Sequence, residues 1–161
     1  MTRFEVVAIG VVRGGRVEAI DDEWGSVESS IVVDERFPES ALAGLDEFSH
    51  VEVVFVFDRV DEASIVTGAR HPRGNVEWPE VGIFAQRAKA RPNRIGLTTC
   101  EVVGVEGRTV RVRGLDAVDG TPVIDLKPYM REFGPRSAVH QPTWSSALMT
   151  NYWDPHLTKT W

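Results

Sequence analysis

The sequence is poor in residues that would give it a covalent or metal scaffold. Its 161 residues include one cysteine, Cys100, so no disulfide can form within the chain. The four histidines, His50, His71, His140 and His156, stand far apart and show none of the close paired spacings of zinc ligands, so no metal site is expected. No apolar run approaches the roughly 18 residues that suggest a membrane span. The start lacks the apolar core and small-residue cleavage site of a secretory signal, which together with the lone thiol points to a reducing cytoplasm and no membrane partner. Cys100 lies among Thr98, Thr99, Val102 and Val103 and reads as a buried structural thiol rather than a nucleophile. Also missing are a G-x-G-x-x-G run behind a strand and any βαβ rhythm, which excludes a Rossmann-type nucleotide site.

What is present fits one domain with a real core, since a chain of this length buries roughly two-thirds of its unfolded surface. The net charge is −6, unlike a protein that coats nucleic acid. Its distribution is uneven. From Glu18 to Glu62 there are fourteen acids against two bases, Arg36 and Arg59, whereas Arg70 to Arg94 holds six bases against two acids. A local cationic patch can steer a phosphate backbone even on an acidic protein. Solvated surface charge is the plainer reading of any one of these cations.

Every strong apolar run has the character of a strand. Phe4 to Val12 is rich in β-branched residues and ends at Arg13-Gly14-Gly15. Ile31 to Val33 predicts a short strand, and Ser49 to Asp58, almost continuously Val and Phe, predicts one buried on both faces. Gly96 to Val105 and Arg108 to Leu115 form an antiparallel pair joined at Glu106-Gly107, and Val123 to Lys127 is the last strand. In Val110-Arg111-Val112-Arg113 strict alternation puts the valines on one face and the arginines in solvent. A helix fits only Pro38 to Leu45, with proline near its start and Gly44 near its end. The pattern is mostly β, a barrel or sandwich. The tail from Met130 has little periodicity but carries Trp144, Tyr152, Trp153 and Trp161, so it packs on the barrel or covers a partner subunit.

The stretch GIFAQRAKARPNRIGL, Gly82 to Leu97, sets Arg87, Lys89, Arg91 and Arg94 in a loop between apolar runs, closed by a Pro-Asn turn. Such a loop suits an anionic ligand. GIFAQR, RPNRIGL and LDAVDGTPVIDLKPY, with the opening VVAIGVVRG, GLDEFSHVEVVFVFD and HPRG, resemble the TrmO-type tRNA methyltransferases in order and spacing from about Phe4 to Tyr129. The resemblance implies a small β-barrel of non-Rossmann type that acts as a homodimer. It implies S-adenosylmethionine as cofactor and tRNA as partner, with methylation of N6 of threonylcarbamoyl-adenosine beside the anticodon. The chain then divides into a methyltransferase-like barrel, residues 1–135, and a tail, residues 136–161.

Site residues follow from the same resemblance. Arg87 is assigned to the cofactor, where a guanidinium can pair with its carboxylate. Leu97 is assigned to the adenine pocket, and Leu115, Asp116, Ala117 and Val118 to the pocket wall through backbone groups. Glu23, Trp24 and Gly25 stand where the family has a cofactor loop, an ordinary surface turn being the alternative. Asp58 and Arg59 stand where the family carries His-Gln for the cofactor, a surface ion pair being the alternative. Arg73, Arg91, Asn93 and Arg94 face the RNA, Arg94 standing where the family has a second proline. Asp125, Lys127 and Tyr129 lie near the acceptor as catalytic candidates, Asp125 and Lys127 sharing a strand face. Tyr129 can stack on a base or handle the proton that the acceptor nitrogen must lose. Two other readings stay open: an RNA-binding or regulatory barrel without catalysis, and a methyltransferase for a small molecule.

Overall fold

Val51, Val53 and Phe55 alternate with Glu52, Val54 and Val56, and this period of two decides which face of the strand meets the core. The computed structural model describes residues 2–153. Its strands, in chain order, are β1 Gly10–Arg13, β2 Glu28–Val33, β3 His50–Val56, β4 Ala69–Arg70, β5 Val81–Gly82, β6 Ile95–Glu106, β7 Thr109–Arg113 and β8 Pro122–Pro128. Six of them close an antiparallel barrel in the order β1-β2-β7-β6-β3-β8, while β4 and β5 pair separately. Closure leaves no sheet edge, and the inward residues form one core of Val12, Ile31, Val51, Val53, Phe55, Val110, Val112 and Val123 with Cys100 among them.

Phe55 is the largest of the fully buried side chains, and Gly96, opposite it on β6, makes room for it. A β-carbon on Gly96 would lie 2.4 Å from the Phe55 ring. Phe57 meets that ring edge-on with centroids 5.1 Å apart. Two bulges bend the wall: Ile124 is the extra residue of β8 against β3, and Val103 that of β6 against β7.

Four expectations are corrected. Strand β1 begins only at Gly10, so Phe4 to Ala8 pair with nothing in the barrel, and Phe4, Val6 and Val7 are exposed. Pro38 to Leu45 gives short 3-10 turns, Glu39–Leu42 and Leu45–Glu47, because Gly44 takes a left-handed conformation that interrupts a continuous helix. The outer face of β3 is half-buried, not buried, since no layer of the described residues covers it. The one α-helix described, α1, Thr143–Leu148, lies in the tail, which is therefore not wholly irregular. Trp161 lies outside the described residues.

Candidate functional site

The loop preceding β2 is built around Trp24, which is only 4% exposed. Its indole N–H donates to the Ile20 carbonyl at 3.0 Å, and the Arg16 guanidinium lies 4.7 Å over its ring. Arg16 also donates to the carbonyls of Asp22, at 2.6 Å, and Glu23. Arg73 clamps the loop from the other side with a bidentate pair of 2.8 and 3.0 Å to the Asp22 carboxylate. Lys89 reaches Asp21 at 3.7 Å.

This fixed loop offers a row of donors. The main-chain N–H groups of Glu23, Trp24 and Gly25 donate to the carbonyls of Asn151, Tyr152 and Trp153 at 2.9, 2.9 and 3.1 Å. Tyr152 then turns its hydroxyl to Oδ2 of Asp116, while the Thr98 hydroxyl donates to Oδ1. Burial, then the Asp116 charge, pushes the Tyr152 phenol well above its ordinary range. It is therefore protonated and a donor at neutral pH. The same two causes push the Cys100 thiol up, as a buried structural thiol requires.

Thr98 is next to Leu97, whose carbonyl accepts from the Arg87 guanidinium. Arg87, Leu97, Asp116 and, through Tyr152, Glu23 to Gly25 are thereby linked in one cluster, with Leu115 and Ala117 as buried anchors on either side of Asp116. The catalytic candidates stand beside it on the outer wall. Across the sheet Asp125 opposes Val54 and Val54 opposes Leu97, and in the next row Lys127 opposes Glu52 and Glu52 opposes Thr99. Lys127 Nζ lies 2.7 Å from Asp125 Oδ2, and that hydrogen bond holds the lysine more firmly protonated. At the strand end the Tyr129 N–H donates to the His50 carbonyl at 2.9 Å. Gly134 curls so close that a β-carbon there would lie 2.8 Å from the Tyr129 hydroxyl.

Other candidates are engaged elsewhere. No ion pair joins Asp58 to Arg59; Arg59 donates to the carbonyls of Asp119 at 2.5 Å and Val17 at 3.3 Å, tying two loops together. Arg91 donates to the Gln86 carbonyl at 2.9 Å. Asn93 takes the positive φ that the third position of a Pro-Asn turn demands, and the Arg94 N–H closes that turn on the Arg91 carbonyl at 3.0 Å. Arg94 itself sits at a φ of 52°, donates to the Val60 carbonyl at 2.9 Å and lies 3.9 Å from Glu62. Val118 donates nothing to the cluster, its carbonyl accepting from Thr121 at 3.1 Å.

Sequence reasoning missed Arg16, Asp22, Thr98 and Tyr152. Tyr152 alone left a signal, as an aromatic in a tail that must pack on something. A partner 36 residues away has no local signature.

Residues 22–134 match the family described as tRNA-methyltransferase O N-terminal domain. The chain is 38% identical over 119 residues to a human protein named tRNA (adenine(37)-N6)-methyltransferase, covering 74% of this chain and 26% of that protein. It spans only about a quarter of that relative's length. A protein of Methanothermobacter thermautotrophicus, named as a probable S-adenosyl-L-methionine-binding protein, is 39% identical over 130 residues, covering 77% of this chain and 88% of its own length. Among solved structures, TrmO from Pseudomonas aeruginosa superposes with a TM-score of 0.72 at 25% identity, covering 89% of this chain and 62% of that one.

Proposed function

We propose, from the premise that the chain belongs to the tRNA-methyltransferase O N-terminal domain family, that it transfers a methyl group from S-adenosylmethionine to N6 of threonylcarbamoyl-adenosine beside a tRNA anticodon. The observation that supports this reading is the row Leu97–Val54–Asp125, in which one residue assigned to the cofactor and one assigned to catalysis flank the same residue of β3.

The residues suit the cofactor's chemistry. Arg87 is exposed, and its one hydrogen bond among the described residues, to Leu97, leaves it further donors with which to meet a carboxylate. Asp116 and the Tyr152 ring supply a carboxylate and an aromatic face, two group types that favour a cation. The bound cofactor supplies an electrophilic methyl carbon. Leu97 offers an apolar surface for the base, and the main chain from Asp116 to Val118, anchored by the buried Leu115, forms its wall. Lys127, held by Asp125, orients the acceptor through donated hydrogen bonds, Tyr129 stacks on the base, and the Asp125 carboxylate takes the proton that leaves the acceptor nitrogen. Most of the protein's contribution is alignment, a term whose upper range is about 7–11 kcal/mol. The homodimer belongs to the same reading and is supported by Ile95, 43% exposed on the outer face of β6.

A second reading, methyl transfer to a small acceptor, is favoured by one specific observation. Arg73, Arg91 and Arg94 spend donors on the protein itself rather than on an open RNA-facing surface.

Incubation with labelled S-adenosylmethionine and tRNA from cells lacking the protein, followed by nucleoside mass spectrometry, decides between them. A new methyl on threonylcarbamoyl-adenosine supports the tRNA reading. Cofactor binding without any methylated nucleoside sinks it in favour of the smaller acceptor, whose binding should depend little on salt.

A further inference from the structure

We propose that the tail, which lies beyond the family-matched residues, supplies one wall of the cofactor site, with Tyr152 as the positioning residue that fixes Asp116. This rests on the assignment of Glu23 to Gly25 and Asp116 to the cofactor given above.

The tail docks on the assigned loop itself. Three successive carbonyls, Asn151 to Trp153, take the three successive N–H groups of Glu23 to Gly25, with Glu23 held at a φ of 63°. A left-handed residue costs free energy unless its surroundings fix it, and here the tail and the Arg16 and Arg73 clamps do so. From that anchorage Tyr152 crosses to Asp116. With Thr98 on one carboxylate oxygen and Tyr152 on the other, Asp116 cannot rotate, and it joins the start of β6 to the loop Leu115–Val118. Trp153 braces the Tyr152 ring edge-on at 5.0 Å between centroids.

Cofactor recognition thus depends on a segment outside the family-matched domain. Without Tyr152 the Glu23–Gly25 loop and the Asp116 loop would lose the contact that this side chain makes between them, and Asp116 would keep Thr98 alone among the described residues.

The test is calorimetric titration of the full chain with S-adenosylmethionine and with S-adenosylhomocysteine. Tyr152→Phe keeps the ring and removes the hydroxyl; Tyr152→Ala removes both; Val139→Ser, at a tail position 70% exposed, is the control. Loss of a hydrogen bond to a charged group predicts roughly tenfold weaker binding for Tyr152→Phe, at least as much for Tyr152→Ala and no change for Val139→Ser. Adding Asp116→Asn to Tyr152→Phe should cost less than the sum of the two, because Tyr152 acts through Asp116. A merely structural role would lower the melting temperature and leave the affinity of the folded protein intact. Unchanged affinity in folded Tyr152→Phe overturns the proposal. So does tighter binding by Tyr152→Ala, which would make the tail an occupant of the site rather than its wall. Absence of binding by the unaltered chain is a different failure, that of the cofactor assignment itself.

Discussion

The barrel interior and the loops around its end are held together by opposite means. Inside, Val12, Val51, Val53, Phe55, Val110, Val112 and Val123 exclude water with scarcely a polar group among them. Around the loops, guanidinium groups reach main-chain carbonyls: Arg16 to Asp22 and Glu23, Arg59 to Val17 and Asp119, Arg91 to Gln86, Arg94 to Val60. Irregular backbone leaves carbonyls that no ladder satisfies, and arginine's rigid fork of donors can serve two of them at once. The lesson is that cations concentrated in a loop need not be offered to a ligand. Here most of them hold loops of the protein itself.

If the interior depends on close packing, truncating its largest side chain should have the greatest effect. Phe55→Ala should cost about 3–5 kcal/mol in chemical denaturation. Gly96→Ala should cost about 1–3 kcal/mol by overpacking against the same ring, and adding Phe55→Leu should recover part of it. Additive effects of those two changes would show that the ring and the glycine are not coupled.

If the loops depend on arginine and its main chain, Arg94→Pro should be the most damaging loop change. Proline fixes φ near −65° and has no N–H, whereas Arg94 sits at a φ of 52° and donates to Arg91. A cost of roughly 1–3 kcal/mol is expected. A stability equal to that of the unaltered chain would mean that the loop rebuilds around proline.

Alkali should separate the two regions by pH. The folded pKa of Cys100, inside the barrel, and that of Tyr152, in the loop cluster, are both raised above ordinary values of 9.0 and 10.0. Between the unfolded and folded values the native state binds more protons than the unfolded one, so stability falls as pH rises. The slope approaches about 1.4 kcal/mol per pH unit for each group. Loss should begin near pH 9 and steepen above pH 10, and Tyr152→Phe should remove only the second part. A flat profile from pH 8 to 11 would contradict the burial of both groups.

The smallest effect is expected for Arg73→Ala, about 1 kcal/mol, shrinking in high salt because its pair with Asp22 is still part-exposed. A salt-independent loss would point to packing of the side chain instead of its charge.

Much of this architecture was legible in the sequence. The β6–β7 hairpin forms as expected, although Glu106 still pairs with Thr109 and the turn falls one residue on, at Gly107-Arg108, and Val110 and Val112 face inward as their alternation requires. Cys100 is buried where its β-branched neighbours put it. Asp125 and Lys127, two apart on β8, share a face and meet as an ion pair. Misreadings arose where a neighbour rather than a pattern decides. The apolar run of β3 implied two buried faces, but burial of its second face needs a covering layer that the described part of the chain does not supply. The surface ion pair that was the alternative for Asp58-Arg59 does not form, because Arg59 meets carbonyls in two distant loops.

By itself the sequence determined most of the barrel strands, the inward face of β7, and family membership, because these rest on period-two patterning and on motifs contiguous in the chain. Only the tertiary structure decided which arginines are spent within the protein and that Tyr152 meets Asp116. Those choices depend on which unsatisfied carbonyl or carboxylate comes within hydrogen-bond reach once the barrel has closed, a distance that spacing along the chain does not encode.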